Sequence, residues 1–283
     1  MTRRAQALLW AKFLLGDNML TAMILYCALG AIAGLLAGLL GIGGGAVVVP
    51  MLVFAFDWLN IPHEVAIHMA IGTSLGSIMF TAVSSARAHH KRGSVDWNVV
   101  KCIAAGILVG TYAGTFVASS IPARYLQMIF VCFLYYVATN MLLNKKPNPT
   151  RHLPGIAGMT GAGAFIGLIS SLVGIGGGSL SVPFLVWNNV DMHRAVGTSA
   201  AIGFPIALAG CLGFVLNGWG VEKLPDYSLG FIYLPALIGI VSVSMFTAPC
   251  GAALAHKLPV PKLKKFFACF LYCVATKMLL DVL

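Results

Sequence analysis

The sequence predicts an all-α polytopic membrane protein made of two homologous helical halves, and three observations carry that expectation. Of the 283 residues, 59% are hydrophobic and 9% charged, with a mean hydropathy of +0.91. That leaves too little polar surface to cover a soluble globule, so the solvent is lipid. The glycine run Gly41-Ile42-Gly43-Gly44-Gly45, followed by Pro50, recurs as Gly174-Ile175-Gly176-Gly177-Gly178 with Pro183, each time inside a long apolar stretch. Helix-breaking glycines at corresponding places of two apolar halves mark a duplicated transporter-like architecture with its site at the breaks. Finally, Ala70-Ile71-Gly72-Thr73-Ser74 matches Ala195-Val196-Gly197-Thr198-Ser199, and the segment 132–139 matches 269–276. The anchors keep their order while their spacing changes, as expected of a true internal repeat.

Residues 1–27 form an N-terminal amphipathic lead-in or helix start. Arg3 and Arg4 resemble the basic start of a signal peptide, but Lys12 and Asp17 interrupt the apolar region and no cleavage pattern follows. The first repeat, 28–143, contains apolar runs at 19–40 (beginning in the lead-in), 65–86, 99–119 and 125–143. A linker at 144–154 is marked by its prolines and charges. The second repeat, 155–283, contains runs at 155–173, 195–217, 229–254 and 264–283. Each run is close to the ~20 residues a helix needs to span ~30 Å of hydrocarbon. Two shorter pieces, Ala46–Phe56 and Ser179–Trp187, follow the glycine runs and cannot cross alone. Gly30, Gly34 and Gly38, like Gly106, Gly110 and Gly114, recur every four residues and read as surfaces for close helix packing.

The formal charge of +10 sits in short connections around Arg87–Arg92, Lys145–Arg151 and Lys257–Lys265. This is the pattern of cytoplasmic loops facing anionic lipid, so no nucleic acid is expected as a partner. The seven cysteines fall in apolar runs without a CxxC and read as small core residues. If each glycine segment crosses once, the halves are parallel; if each dips in and turns back, they are inverted. Inversion gathers the basic loops on one side and leaves Glu222 and Asp226 on the other, failing only at Arg3, Arg4 and Lys12.

Together the duplicated glycine runs, the Gly-Thr-Ser at 72–74 and 197–199, the stretch His90-Lys91-Arg92-Gly93-Ser94-Val95-Asp96-Trp97 and Tyr233-Leu234-Pro235-Ala236 resemble the TauE/SafE family of membrane permeases. The likeness runs from about residue 28 to the end. It implies a bacterial inner-membrane carrier of small sulfur oxyanions, exporting sulfite or moving organosulfonates such as sulfoacetate.

The residues themselves suit an anion. Gly43, Gly44 and Gly45, and Gly176, Gly177 and Gly178, let the backbone approach a ligand and expose N–H groups at the start of a short helix, where partial positive charge gathers. Unwound backbone is tolerated in a membrane only where it lines a cavity or packs on protein. Thr73, Ser74, Thr198 and Ser199 could donate to oxyanion oxygens or bond back to their own helices. Ser179 adds a donor where the first copy has Ala46. Arg87 could attract anions to the cytoplasmic mouth or snorkel as an anchor. His68 could titrate during proton coupling or simply end a helix at the interface.

His63 and His68 are five residues apart, so they do not make the i, i+4 pair of a zinc protease, and no metal or cofactor is implied. Asp96 and Trp97 read as an N-cap and an interfacial aromatic. Without a GxSxG, an acidic pair in a span or a phosphate-binding lysine motif, the chain is expected not to be an enzyme. The expected function is secondary transport of a sulfur-containing oxyanion. An anion channel, or a membrane sensor or assembly factor, is the alternative, and assembly into a homo-oligomer stays open.

Overall fold

The computed structural model of the chain describes residues 17–40, 44–143, 153–254 and 260–282. Its helices are α1 (Asp17–Leu40), α2 (Gly45–Trp58), α3 (His63–His90), α4 (Trp97–Ser120), α5 (Ala123–Leu143), α6 (Ile156–Val173), α7 (Gly178–Trp187), α8 (Met192–Asn217), α9 (Leu234–Leu254) and α10 (Val260–Leu280). Among the described residues, seven are long and apolar enough to cross a membrane: α1, α3, α4, α5, α6, α8 and α9. The predicted runs all coincide with helices, and the last part of the lead-in is the start of α1. One boundary differs. Ser228–Leu229 (β1) and Ile232–Tyr233 (β2) form a two-stranded antiparallel hairpin ahead of α9, because Gly230 turns the chain with φ +56°.

The centre is set by α3 and α8. The apolar window of α3 is 89% buried and that of α8 67%, against 33–50% for the other spans. A helix surrounded by protein can afford hydroxyls, and α3 carries Thr73, Ser74, Ser77, Thr81 and Ser85. The outer spans instead turn large apolar side chains such as Val109, Phe165 and Phe246 outward, as a lipid-facing surface requires. The cysteines are placed differently from the sequence reading. Cys132, Cys250, Cys269 and Cys273 are exposed and the other three half-buried. A thiol is apolar enough to face lipid, so an apolar run does not distinguish inside from outside.

Small residues fix the neighbours. Cβ atoms on Gly30, Gly34 and Gly38 of α1 would strike the backbone of α9 at Ile240, Ser244 and Ala248, and those on Gly106, Gly110 and Gly114 of α4 would strike α6 at Thr160, Ala164 and Leu168. Each pair therefore lies backbone to backbone, as the four-residue glycine spacing predicts. Residue numbers rise together along both pairs, so α1 runs with α9 and α4 with α6. Across the centre the order reverses: Gly72 meets Phe214, Gly210 meets Leu75 and Gly203 meets Ala82, so α3 and α8 are antiparallel. So are α5 and α10, where Gln127 bonds to the Met278 carbonyl and Thr139 to Tyr272. Tyr135 and Thr276 make the reciprocal bond at 2.9 Å.

One proline inside a span is accommodated by a neighbouring helix. Pro249 of α9 has no N–H for the Met245 carbonyl one turn earlier, and Ser84 of α3 donates to that oxygen at 2.7 Å.

Candidate functional site

Gly45 meets the second glycine stretch beside Ser74 of α3, and Gly177 of that stretch lies against α8. Helix α6 ends at Val173 with Gly174 in the left-handed region (φ +63°), and α2 starts behind Gly44 (φ +71°). Both positions demand glycine twice over: a side chain would be strained there, and a Cβ would lie 2.9 Å from Ile71 Cα at Gly174 and 2.8 Å from the Ala33 carbonyl at Gly44. A Cβ on Gly45 would strike the Gly174 carbonyl and Ile175 Cα. Ser74 fastens the junction by donating to the Gly174 carbonyl at 2.8 Å.

Beside this junction lies a cavity of about 10 Å³, room for roughly one water. Its wall combines Gly176 and Gly177, Ser199 and Gly203 of α8, Thr81 and Ser85 of α3, and Ala37 of α1. Gly177 is the N-cap of α7 and no side chain caps that helix. Its first N–H groups thus have no partner within the helix and present partial positive charge. Ser85 is 2% exposed and its Oγ has no hydrogen-bond partner among the described residues. The same holds for Ser179 Oγ and Ser181 Oγ. Ser181 Oγ would stand only 2.8 Å from a Cβ on Gly177. Buried hydroxyls left without partners cost about 1–3 kcal/mol each, so unpaired donors gathered at a helix N-terminus need an explanation.

The residues singled out in the sequence divide accordingly. Gly176, Gly177 and Ser199 line the cavity, with Gly178 and Ser179 in the first turn of α7. Gly44 and Gly45 belong to the junction, and Gly43 lies outside the described residues. Ser199 bonds back to the Val196 carbonyl at 2.8 Å. Thr73 and Thr198 are fully buried clips between the halves: Thr73 Oγ1 accepts from Tyr233 N and Thr198 Oγ1 from Asp96 N, both at 2.9 Å. Each hydroxyl holds the backbone at the entry to the other half's next long helix. Asp96 caps α4 through Asn98 N and Val99 N, and Trp97 donates to His90 Nδ1 at 3.1 Å.

His68 is away from the cavity. Its Nε2 faces two acceptors, the carbonyls of Ala118 and Ile121 at 3.2 and 3.1 Å, so this nitrogen carries the proton and covers the end of α4. Its ring stacks on Phe231. His63 instead sits 3.4 Å from Asp57, so the two imidazoles serve separate partners. Arg87 is exposed and lines a groove between α3 and α9, not the cavity.

Thr81 and Ser85 were not singled out in the sequence, although the signal was there. Ser74, Ser77, Thr81 and Ser85 follow at spacings that keep one face of a helix. The aligned positions of α8 after Ser199 are Ile202, Ile206 and Gly210. Ser77 donates to Ser74 O at 2.8 Å and Thr81 to Ser77 O at 3.2 Å, and Ser85 ends the ladder with its proton unspent.

Comparison with known proteins agrees with this architecture. The family model described as "Sulfite exporter TauE/SafE" matches residues 26–278, nearly the whole chain. The chain belongs to the TauE/SafE family. A Haemophilus influenzae protein described as a probable membrane transporter is 40% identical over 264 residues, covering 93% of this chain and all of the relative. Similarly described proteins of Methanocaldococcus jannaschii and Bacillus subtilis are 28% and 29% identical, covering 89% and 84% of this chain and 93% and 90% of their own length. No solved structure matches it. This TauE/SafE protein is a multi-pass membrane transporter, and a bacterial inner membrane fits its spans and relatives.

Proposed function

We propose that this TauE/SafE transporter is a secondary carrier for a small sulfur-containing oxyanion, sulfite or an organosulfonate such as sulfoacetate, and that it works in the export direction. The observation that carries the reading is the cavity where the uncapped N-terminus of α7 meets the unpartnered Ser85 hydroxyl, between the two halves. N–H groups and hydroxyls can hold a doubly charged oxyanion without the desolvation cost of burying Arg or Lys. The sulfur chemistry and the outward direction draw on the family's description. Outward movement from a negative interior yields ~2.3 kcal/mol per charge per 100 mV, so uniport needs no coupling ion.

The halves act as an inverted repeat, with the glycine stretches as breaks at which α2 and α7 turn back. The helix directions support this: α3 opposes α8, α5 opposes α10, α1 runs with α9 and α4 with α6. On this arrangement the ends of α3, α5 and α9, and the basic stretches that follow them, face one side. A space for one water is smaller than sulfite, so binding requires α3 and α8 to shift against the break. That favours a carrier over a channel. Thermal stabilisation of the detergent-solubilised protein by sulfite, sulfate, sulfoacetate, taurine, acetate and chloride tests the ligand class, since a ligand of the folded state raises its stability. Saturable counterflow of the stabilising anion in liposomes then separates a carrier from a channel or a sensor. Equal response to all anions overturns the sulfur assignment.

A further inference from the structure

A second cavity, about 350 Å³, lies between the last turns of α3 and the middle of α9. Arg87, Lys91 and Arg92 stand on its wall with Ser84, Met245 and Pro249. Among the described residues none of the three cations has a carboxylate within 4 Å; the neighbouring Asp96 is approached by Arg194 instead. Among the described residues, no acidic side chain lines the groove. The Ser84 hydroxyl is already spent on the Met245 carbonyl that Pro249 leaves without a donor. The polar chemistry on offer is therefore cationic alone, beside an apolar floor.

The depth and the flank identify the occupant. Helix α3 ends at His90, where the Trp97 indole bonds to His90 Nδ1; an indole at this level marks the boundary between hydrocarbon and headgroups. Arg87 follows Ser85 by two residues, which places it about 160° round the helix from the serine that lines the central cavity. The groove thus opens on the outer flank of α3, next to Met245 and Phe246, which are 39% and 77% exposed on α9. A free anion would find charge there but nothing to use the apolar surface. A phosphodiester with acyl chains uses both.

We propose that this groove is a binding site for the phosphate headgroup of an anionic membrane lipid, with its acyl chains lying along the exposed face of α9. Basic pockets between helices on the cytoplasmic side suit such headgroups. The site assigns Arg87 to lipid and not to the anion path, and it stands whether or not the transported anion contains sulfur.

The test measures thermal stabilisation of the full chain in neutral detergent on titration with phosphatidylglycerol, phosphatidylcholine or inorganic phosphate, beside mass spectrometry of co-purified lipid. Phosphatidylglycerol is expected to stabilise saturably, and the other two not. Arg87→Gln with Arg92→Gln is expected to weaken that response at least tenfold and to lose the co-purified lipid. Lys145→Gln with Lys146→Gln, an equal loss of charge elsewhere, is expected to keep both. An equal loss in the two double variants would replace the site by diffuse attraction and overturn the proposal. So would equal stabilisation by inorganic phosphate, which would make the groove a site for free anions.

Discussion

Ser85→Ala separates a binding hydroxyl from a structural one because the two roles predict opposite responses. In the structure Ser85 Oγ is buried at the wall of the central cavity and has no partner among the described residues. Removing it breaks no hydrogen bond among the described residues and relieves a desolvation cost of about 1–3 kcal/mol. The melting temperature should stay the same or rise by a few degrees. If the hydroxyl donates to the anion, the lost bond is one to a charged group, worth about 1.5–3 kcal/mol. Affinity should then fall roughly tenfold to a hundredfold. Ser77→Ala is the contrast: its hydroxyl is spent on Ser74 O, so it should lose about 1 kcal/mol of stability and keep its affinity. The assay is paired: melting temperature without ligand, and sulfite or sulfoacetate affinity from ligand-induced stabilisation. Wild-type affinity in Ser85→Ala, or a clear loss of stability, would refute the assignment.

Four further outcomes are expected. Gly177→Val should abolish anion-induced stabilisation while the protein still inserts, because the new Cβ meets only the ends of Ile206, Ile202 and Ser181 side chains, which can yield. Gly174→Ala, forced into φ +63° against Ile71 Cα, should lower stability as well; comparing the melting curves of the two distinguishes a blocked site from a broken junction. Gly110→Leu should reduce the yield of folded protein or cost about 1–3 kcal/mol or more, since α4 lies directly against the Ala164 backbone; normal size-exclusion behaviour and melting would contradict the backbone-to-backbone packing. Single cysteines placed at Lys91 and at Lys146 in a cysteine-free background should react with an impermeant thiol reagent from the same side of the membrane, while one at Lys223 reacts from the other; labelling of all three from one side would rule out the inverted arrangement.

Much of this protein is legible in its sequence because lipid imposes simple local rules. Apolar length fixes where helices cross, a basic loop marks the cytoplasmic side, and glycines every four residues announce close packing, as Gly30, Gly34 and Gly38 show against α9. Duplication and the glycine runs are repeated words that need no coordinates, and together with the stretches His90–Trp97 and Tyr233–Ala236 they carried the resemblance to the family. The partners of the hydroxyls were not legible. Thr198 and Ser199 are neighbours in sequence, yet one clips the Asp96 backbone 102 residues away and the other bonds to its own helix beside the cavity. Nor could the chain tell that Ser85 keeps its hydroxyl unspent while Arg87, two residues on, faces the opposite flank of the same helix. Where a helix lies in the membrane is set by its own composition, whereas what each polar side chain can do depends on which distant backbone has come to satisfy it. That pairing exists only once the two halves have packed.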